Sequence, residues 1–290
     1  MTLEKSSHCK VNLLLNILGK REDGFHELET VMHPVRVFDQ LSFSRGGSEI
    51  QLTCSEASLP TDSRNLVYRA AALFLQTAGI SAGVRIHLEK NIPLAAGLGG
   101  GSGNAATVLL ALNELFGKPV DPVQLKSLAA ALGSDVPFFL QDQPALGTGR
   151  GENIQSLDYF PSLRGAAFLL IQPGFGISTA WAYQQLARFP AALNGRHGRA
   201  QHLVSLLQTA SLETAGAEFY NSLEAPALEK YPLLFLFQQF LREQGAAATL
   251  MSGSGSTTFA VARSLMAAET IADKFKAKFG ERNWIAVVSV

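Results

Sequence analysis

Residues 84 to 116 constrain the chain more than any other stretch. Val84, Ile86 and Leu88 alternate with Arg85, His87 and Glu89, the period of a strand with one buried face. Lys90 to Asn104 follows, with five glycines in the seven positions from Gly97 to Gly103. From Ala105 the apolar residues recur at Val108, Leu109, Leu112, Leu115 and Phe116, the spacing of an amphipathic helix. The order is strand, glycine loop, helix. Glycines let backbone N–H groups face an anion with no side chain between, and a helix start adds unpaired donors and the positive end of its dipole. A lone glycine loop is more often a plain surface turn; glycines running straight into an Ala-rich helix shift the expectation to phosphate binding.

Three well-known phosphate loops are excluded. Gly103 is followed by Asn104, so the Gly-Lys-Ser/Thr ending of a P-loop is missing. Counting from Gly97 and Gly99, Ser102 stands where a dinucleotide fold needs Gly or Ala. The His-Arg-Asp and Asp-Phe-Gly signatures of protein kinases are absent.

With 290 residues, the chain is long enough for two domains. Hydrophobic residues make up 47% and charged residues 17%, which excludes a disordered chain. The 24 basic and 24 acidic side chains cancel, so no basic stripe points to nucleic acid. Two cysteines, Cys9 and Cys54, make neither a disulfide framework nor a zinc site. The apolar run from Val11 to Leu18 contains Asn12 and Asn16 and is too short to span a membrane. The expectation is a cytoplasmic protein with no membrane or nucleic-acid partner, as monomer or homodimer.

Lys10 to Leu18 reads as a strand with Lys10, Asn12, Leu14 and Asn16 on one face. Residues 27–37 read as strand or loop, and 40–43 and 49–54 as further strands. Asp62 or Ser63 can cap a helix over residues 65–77. Asp121, Pro122 and Gly133 punctuate another. Gly147 to Gly151 reads as flexible, and the polar, proline-containing sequence up to Pro161 as the domain boundary, giving domains 1–160 and 161–290. In the second half, strands are expected at 166–171, 247–251, 257–262 and 284–290. Helices are expected at 179–186, 201–208, 232–243 and 264–279, and Ser252-Gly253-Ser254-Gly255-Ser256 joins two of the strands.

The six histidines lack the His-x-x-x-His spacing of a zinc site, and Gly253-Ser254-Gly255 lacks the setting of a serine nucleophile. Three clusters remain: Lys10 with Asn12, Gly24-Phe25-His26-Glu27, and Asp135 ahead of Val136-Pro137. Each alone has a plain reading, respectively a solvated lysine, a packed ring and a helix cap. Their combination with the glycine loop gives them weight.

That combination resembles the GHMP small-molecule kinases. Pro93 to Thr107 is similar to their phosphate loop, and Met251 to Ser256 to their C-terminal glycine motif. The run Lys10-Val11-Asn12-Leu13 through Gly24-Phe25-His26-Glu27-Leu28 is similar to members that act on a cytidine-diphosphate-linked tetritol in non-mevalonate isoprenoid synthesis. So are Asp62-Ser63-Arg64-Asn65-Leu66 and Gly133-Ser134-Asp135-Val136-Pro137-Phe138-Phe139. The resemblance implies an α+β fold of two domains, the first like the second domain of ribosomal protein S5 and the second ferredoxin-like. It implies transfer of the γ-phosphoryl of ATP, with Mg²⁺, to the 2-hydroxyl of the acceptor. Asp135 matches the family's catalytic aspartate and Lys10 its catalytic lysine. An ionised aspartate can accept the hydroxyl proton, and a lysine beside it would hold it ionised and stabilise the transferring phosphoryl. Asn12, Phe25, His26 and Tyr183 match positions at the cytidine end. Asn65 and Leu66 match positions at the adenine. Pro93, Leu94, Ala95, Ala96, Gly97, Leu98, Gly99, Gly100, Gly101, Ser102 and Gly103 match the phosphate wrap, with Ser102 a candidate hydroxyl near the metal.

The chain departs from the family pattern at four places. Ser7-His8-Cys9 replaces a small residue, Pro and Ala. Ala95 and Ala96 stand where glycines are usual, and Gly103 where serine is. Phe25 replaces the commoner tyrosine, losing a hydroxyl and keeping the stacking face. Two other functions compete. A homoserine- or mevalonate-type kinase offers no base for Phe25 and Tyr183 to stack on. A non-catalytic nucleotide- or RNA-binding module would need neither Lys10 nor Asp135.

Overall fold

The structure is a computed structural model and describes residues 2–290. The chain forms two compact units that interleave in sequence: Met1–Cys9, Val37–Ile92 and Gly99–Asp142 form one, and Lys10–Arg36, Pro93–Leu98 and Gln143–Val290 the other.

Two long strands, β1 (Thr2–Lys20) and β2 (His26–Arg45), contribute to both units. In the first unit, β4 (Val84–Glu89) pairs antiparallel with the end of β2, from Gln40↔Glu89 to Arg45↔Val84. Its other edge pairs parallel with β3 (Ile50–Cys54). Val84, Ile86 and Leu88 are buried and Arg85, His87 and Glu89 exposed, as the alternation predicts. Helices α1 (Leu66–Thr77), α2 (Gly100–Leu115) and α3 (Pro122–Leu132) pack on one another. Val67, Ala71 and Phe74 of α1 and Val108, Leu109 and Leu112 of α2 are among their buried residues. Asp121 caps α3 in a capping box with Gln124, and Pro122 takes the first turn.

Three expectations change here. The α1 cap is Asn65, whose side chain accepts from Val67 N; the Asp62 carboxylate is taken up by Arg64. Helix α2 starts at Gly100, five residues before the first apolar residue of its periodic face. Glycine is a poor helix former, but here close packing selects it. A Cβ on Gly103 would lie 2.9 Å from the His8 carbonyl and 2.9 Å from Ser7 Oγ. The stretch expected to be flexible forms a hairpin of β5 (Ala145–Gly149) and β6 (Asn153–Ser156). Its glycines allow close approach: a Cβ on Gly147 would lie 2.9 Å from Thr30 Cγ2.

In the second unit, β5 pairs with residues 28–32 of β2. The short β8 (Tyr220–Asn221) pairs parallel with Leu14 and Leu15 of β1. A separate four-stranded antiparallel sheet uses β7 (Ala167–Gln172), β9 (Ala248–Met251), β10 (Thr258–Ala262) and β11 (Trp284–Ser289), in the order β11-β7-β10-β9. With α9 (Pro232–Glu243) before β9 and α10 (Leu265–Phe279) before β11, this is the ferredoxin-like split βαβ arrangement. Its core joins Leu169, Ile171 and Ala260 of the sheet to Phe237, Phe240 and Phe275 of the helices. Phe237 and Phe275 meet edge-on with centroids 4.7 Å apart, the favoured geometry of aromatic pairs. Each such buried ring contributes roughly 1.5–3 kcal/mol. A second core gathers Ile17, Leu28, Ile177, Ala182, Leu186, Leu223 and Leu234. Around it lie α4 (Thr179–Gln185), α5 (Pro190–Leu193) and α8 (Glu224–Lys230), and α6 (Arg199–Thr209) packs with α7 (Leu212–Gly216).

Candidate active site

In the second unit the first strand carries a polar chain through an apolar core. Lys10 is 2% exposed. Its ammonium donates to Asn12 Oδ1 and to the Gly97 carbonyl, the latter at 3.2 Å. Asn12 Nδ2 donates to Thr30 Oγ1 at 2.8 Å, and the Thr30 hydroxyl donates to the Leu14 carbonyl at 2.6 Å. The two-residue spacing on a strand thus brings Lys10 and Asn12 into contact, and the Asn12 amide is fixed with its oxygen toward the lysine. Thr30 completes the relay; nothing in the sequence marks it, because it arrives from β2.

The 93–98 part of the glycine loop rests on the C-terminal glycine motif. Ser252 Oγ donates to the Gly97 carbonyl at 2.9 Å, Thr257 N to the Ala96 carbonyl at 3.1 Å, and Ile177 N to the Ala95 carbonyl at 3.3 Å. Gly97 has φ +75°, and a Cβ there would collide with the Ser252 carbonyl. The motif is held from behind: Asn221 Nδ2 donates to the Met251 and Gly253 carbonyls, both at 2.7 Å. Ala95 takes the left-handed conformation at φ +49°, so an alanine occupies the backbone region that glycine favours.

The same unit holds the aromatic residues. Phe25 is 51% exposed, and the Arg150 guanidinium lies over its ring at 4.6 Å. Glu152 holds Arg150 through its backbone N–H at 2.7 Å and through Nε at 3.4 Å. His26 and Tyr183 are 5.0 Å apart between ring centroids, tilted by 39°. Partial burial, and then the Lys20 charge, push the His26 pKa down, so at neutral pH the ring offers one donor and one acceptor. Tyr183 lies on α4, which Ser178 caps.

The 99–103 part of the loop belongs to the first unit. Gly99 is left-handed at φ +70° and leads into α2 with no side-chain cap; the first-turn N–H groups of a helix have no intrahelical partner. A Cβ on Gly101 would meet open space. Asp135 is half-buried before the short 3₁₀ helix Val136–Leu140, and its side chain makes no capping bond. Asn65 caps α1 and donates to the Pro60 carbonyl at 2.7 Å, and Leu66 follows it as the first helical residue.

Models of two families match the chain: the GHMP kinases N-terminal domain over residues 65–144 and the GHMP kinases C-terminal domain over residues 194–281. The chain belongs to the GHMP kinase family, a class of small-molecule kinases, and has its two-domain fold. It is 39% identical over 279 residues to the 4-diphosphocytidyl-2-C-methyl-D-erythritol kinase of Syntrophotalea carbinolica, covering 94% of each chain. It is 40% identical to the enzyme of that name from Pelotomaculum thermopropionicum, covering 95% of this chain and 94% of the relative. A crystal structure of 4-(cytidine 5'-diphospho)-2C-methyl-D-erythritol kinase superposes with TM-score 0.78 at 34% identity, covering 99% of this chain and all of that one. The homoserine kinase of Cytophaga hutchinsonii superposes with TM-score 0.77 at 20% identity, covering 100% of this chain and 95% of that one, which is a likeness of fold.

Proposed function

We propose that the chain transfers the γ-phosphoryl of ATP to the 2-hydroxyl of 4-(cytidine 5'-diphospho)-2-C-methyl-D-erythritol, in the cytoplasm, as a step of the non-mevalonate route to isoprenoid precursors. The supporting observation is the exposed Phe25 in one unit with the His26–Tyr183 pair. Such surfaces suit a flat base and have no use for homoserine or mevalonate. Stacking a base contributes about 1–3 kcal/mol. In this reading Phe25 and Tyr183 flank the cytosine and His26 reads its polar edge.

Asp135 accepts the proton of the attacking hydroxyl, and Lys10, oriented by Asn12, stabilises charge on the transferring phosphoryl. Asn65 and Leu66 border the adenine, and the backbone N–H groups of residues 93–103 bind the phosphates. Among the described residues no group of three or more His, Cys, Asp or Glu side chains could hold a metal ion. Mg²⁺ keeps several waters and binds through nucleotide phosphates plus one or two protein oxygens, so it needs no all-protein cage. Ser102 is the candidate to supply one such oxygen. When bound, the ion neutralises phosphate charge. Among the described residues no helix is long and apolar enough to cross a membrane.

The test is turnover. Wild-type protein releases ADP when the CDP-linked tetritol is added, and Asp135→Asn binds ATP normally but loses turnover by about 10²–10⁴-fold. Undiminished turnover in Asp135→Asn would remove the base assignment.

A further inference from the structure

Asp39 is fully buried and accepts four hydrogen bonds. Its Oδ1 takes Asn91 N at 2.8 Å and Ile92 N at 2.9 Å. Its Oδ2 takes Asn104 Nδ2 at 2.9 Å and the Lys90 ammonium. Asn91 and Ile92 are the last residues before the glycine loop, and Asn104 lies in α2 just after it. One carboxylate therefore fixes the chain on both sides of the loop. The Lys90 side chain is only 5% exposed, and its Nζ also lies 3.4 Å from Asn104 Oδ1. It reaches under the helix start: a Cβ on Gly100 would lie 3.3 Å from it.

A buried carboxylate here has a cost beyond desolvation. It sits at the positive end of α2 and would compete there with any anionic ligand. Lys90 cancels that charge. We propose that Asp39 and Lys90 are positioning residues for nucleotide binding. Asp39 fixes both feet of the glycine loop, and Lys90 neutralises it so that the α2 N-terminus keeps its attraction for the ATP phosphates. The proposal deepens the kinase reading above and rests on it.

Lys90→Met leaves the hydrogen bonds from Asn91, Ile92 and Asn104 in place but uncovers the negative charge. Asp39→Asn/Lys90→Met is uncharged and keeps the bonds from Asn91 N and Ile92 N through the amide oxygen, while Asn104, whose Nδ2 donates to Oδ2 in the wild type, has to turn its amide over to accept from the new nitrogen. Calorimetric binding of ATP, ADP and adenosine to both variants and the wild type separates charge from shape, with the acceptor KM measured alongside. A charge effect of this kind is worth roughly tenfold or more in affinity. The expected result is that Lys90→Met loses about that much for ATP, less for ADP, and less than about twofold for adenosine. The acceptor KM stays within about twofold, and the double variant recovers ATP affinity to within about threefold of wild type. Equal losses for ATP and adenosine, a parallel rise in both KM values, or a folded double variant with ATP binding still about tenfold weak would reduce the pair to a folding role. If Lys90→Met does not fold, the double variant alone decides. Graded losses in a protein that does not phosphorylate the CDP-linked acceptor would keep the clamp and discard the acceptor. Wild-type protein that binds no ATP would overturn both.

Discussion

Ser7 and Gly103 share one small space: a Cβ on Gly103 would lie 2.9 Å from the Ser7 hydroxyl. Two departures from the family pattern thereby become one, since the serine usual at position 103 has no room beside Ser7 and the His8 carbonyl. Gly103→Ser should destabilise the protein by about 1–3 kcal/mol through overpacking. Ser7→Ala/Gly103→Ser should recover only part of that, because the His8 carbonyl is backbone and remains. Ser7 Oγ is buried without a hydrogen-bond partner, so Ser7→Ala alone should be neutral or stabilising by up to about 1 kcal/mol. Urea unfolding of the three variants measures all of this.

Ala95 carries positive φ in the loop. A left-handed alanine costs about 1–2 kcal/mol, and glycine loses about 0.5–1 kcal/mol through its freer unfolded chain. Ala95→Gly should therefore raise Tm by roughly 1–3 °C. Thermal unfolding showing a lower Tm would mean that contacts of the Ala95 methyl outweigh the backbone strain.

Two buried groups give the stability opposite pH slopes. His33 is 1% exposed, and burial lowers its pKa from 6.5 to about 4. It therefore stays neutral in the fold while the unfolded chain takes up a proton, so the stability present above pH 6.5 is lost as pH falls toward 4. The span is roughly 3 kcal/mol. Glu224 accepts from Met251 N and Gln238 Nε2, and burial raises its pKa from 4.5 to about 7. Here the unfolded chain releases its proton first, so stability falls as pH rises from 4.5 toward 7, by roughly 3 kcal/mol. The two largely cancel between pH 4.5 and 6.5. Glu224→Gln should unmask a stability that rises with pH across that window, and His33→Phe one that falls. Unfolding free energies measured at several pH values check both signs.

Local patterns in the sequence carried a good part of this structure. The alternation at residues 84–89, the capping residues of α3 and the strand–loop–helix order each depend on neighbours in the chain, and each appears as read. The contact of Lys10 with Asn12 follows from strand geometry alone. Long-range partners were not legible. Thr30 reaches Asn12 from another strand, Asn221 supports the glycine motif from 30 residues away, and Asp39 meets the loop across 52 residues. Nor does residue spacing reveal that glycines 100 and 103 are helical and chosen for tight packing. The hairpin at 145–156 was hidden because glycines that permit close strand contact look the same in sequence as glycines that loosen a loop.

The most direct test is acceptor choice. ADP release with Mg-ATP should be measured against CDP-methylerythritol, methylerythritol phosphate, homoserine and mevalonate, on protein shown to be folded. The account predicts turnover with the CDP-linked acceptor alone, and a raised KM for it in Phe25→Ala. Turnover with homoserine or mevalonate, or with methylerythritol phosphate as readily as with its CDP derivative, would contradict the cytosine-reading role of Phe25, His26 and Tyr183.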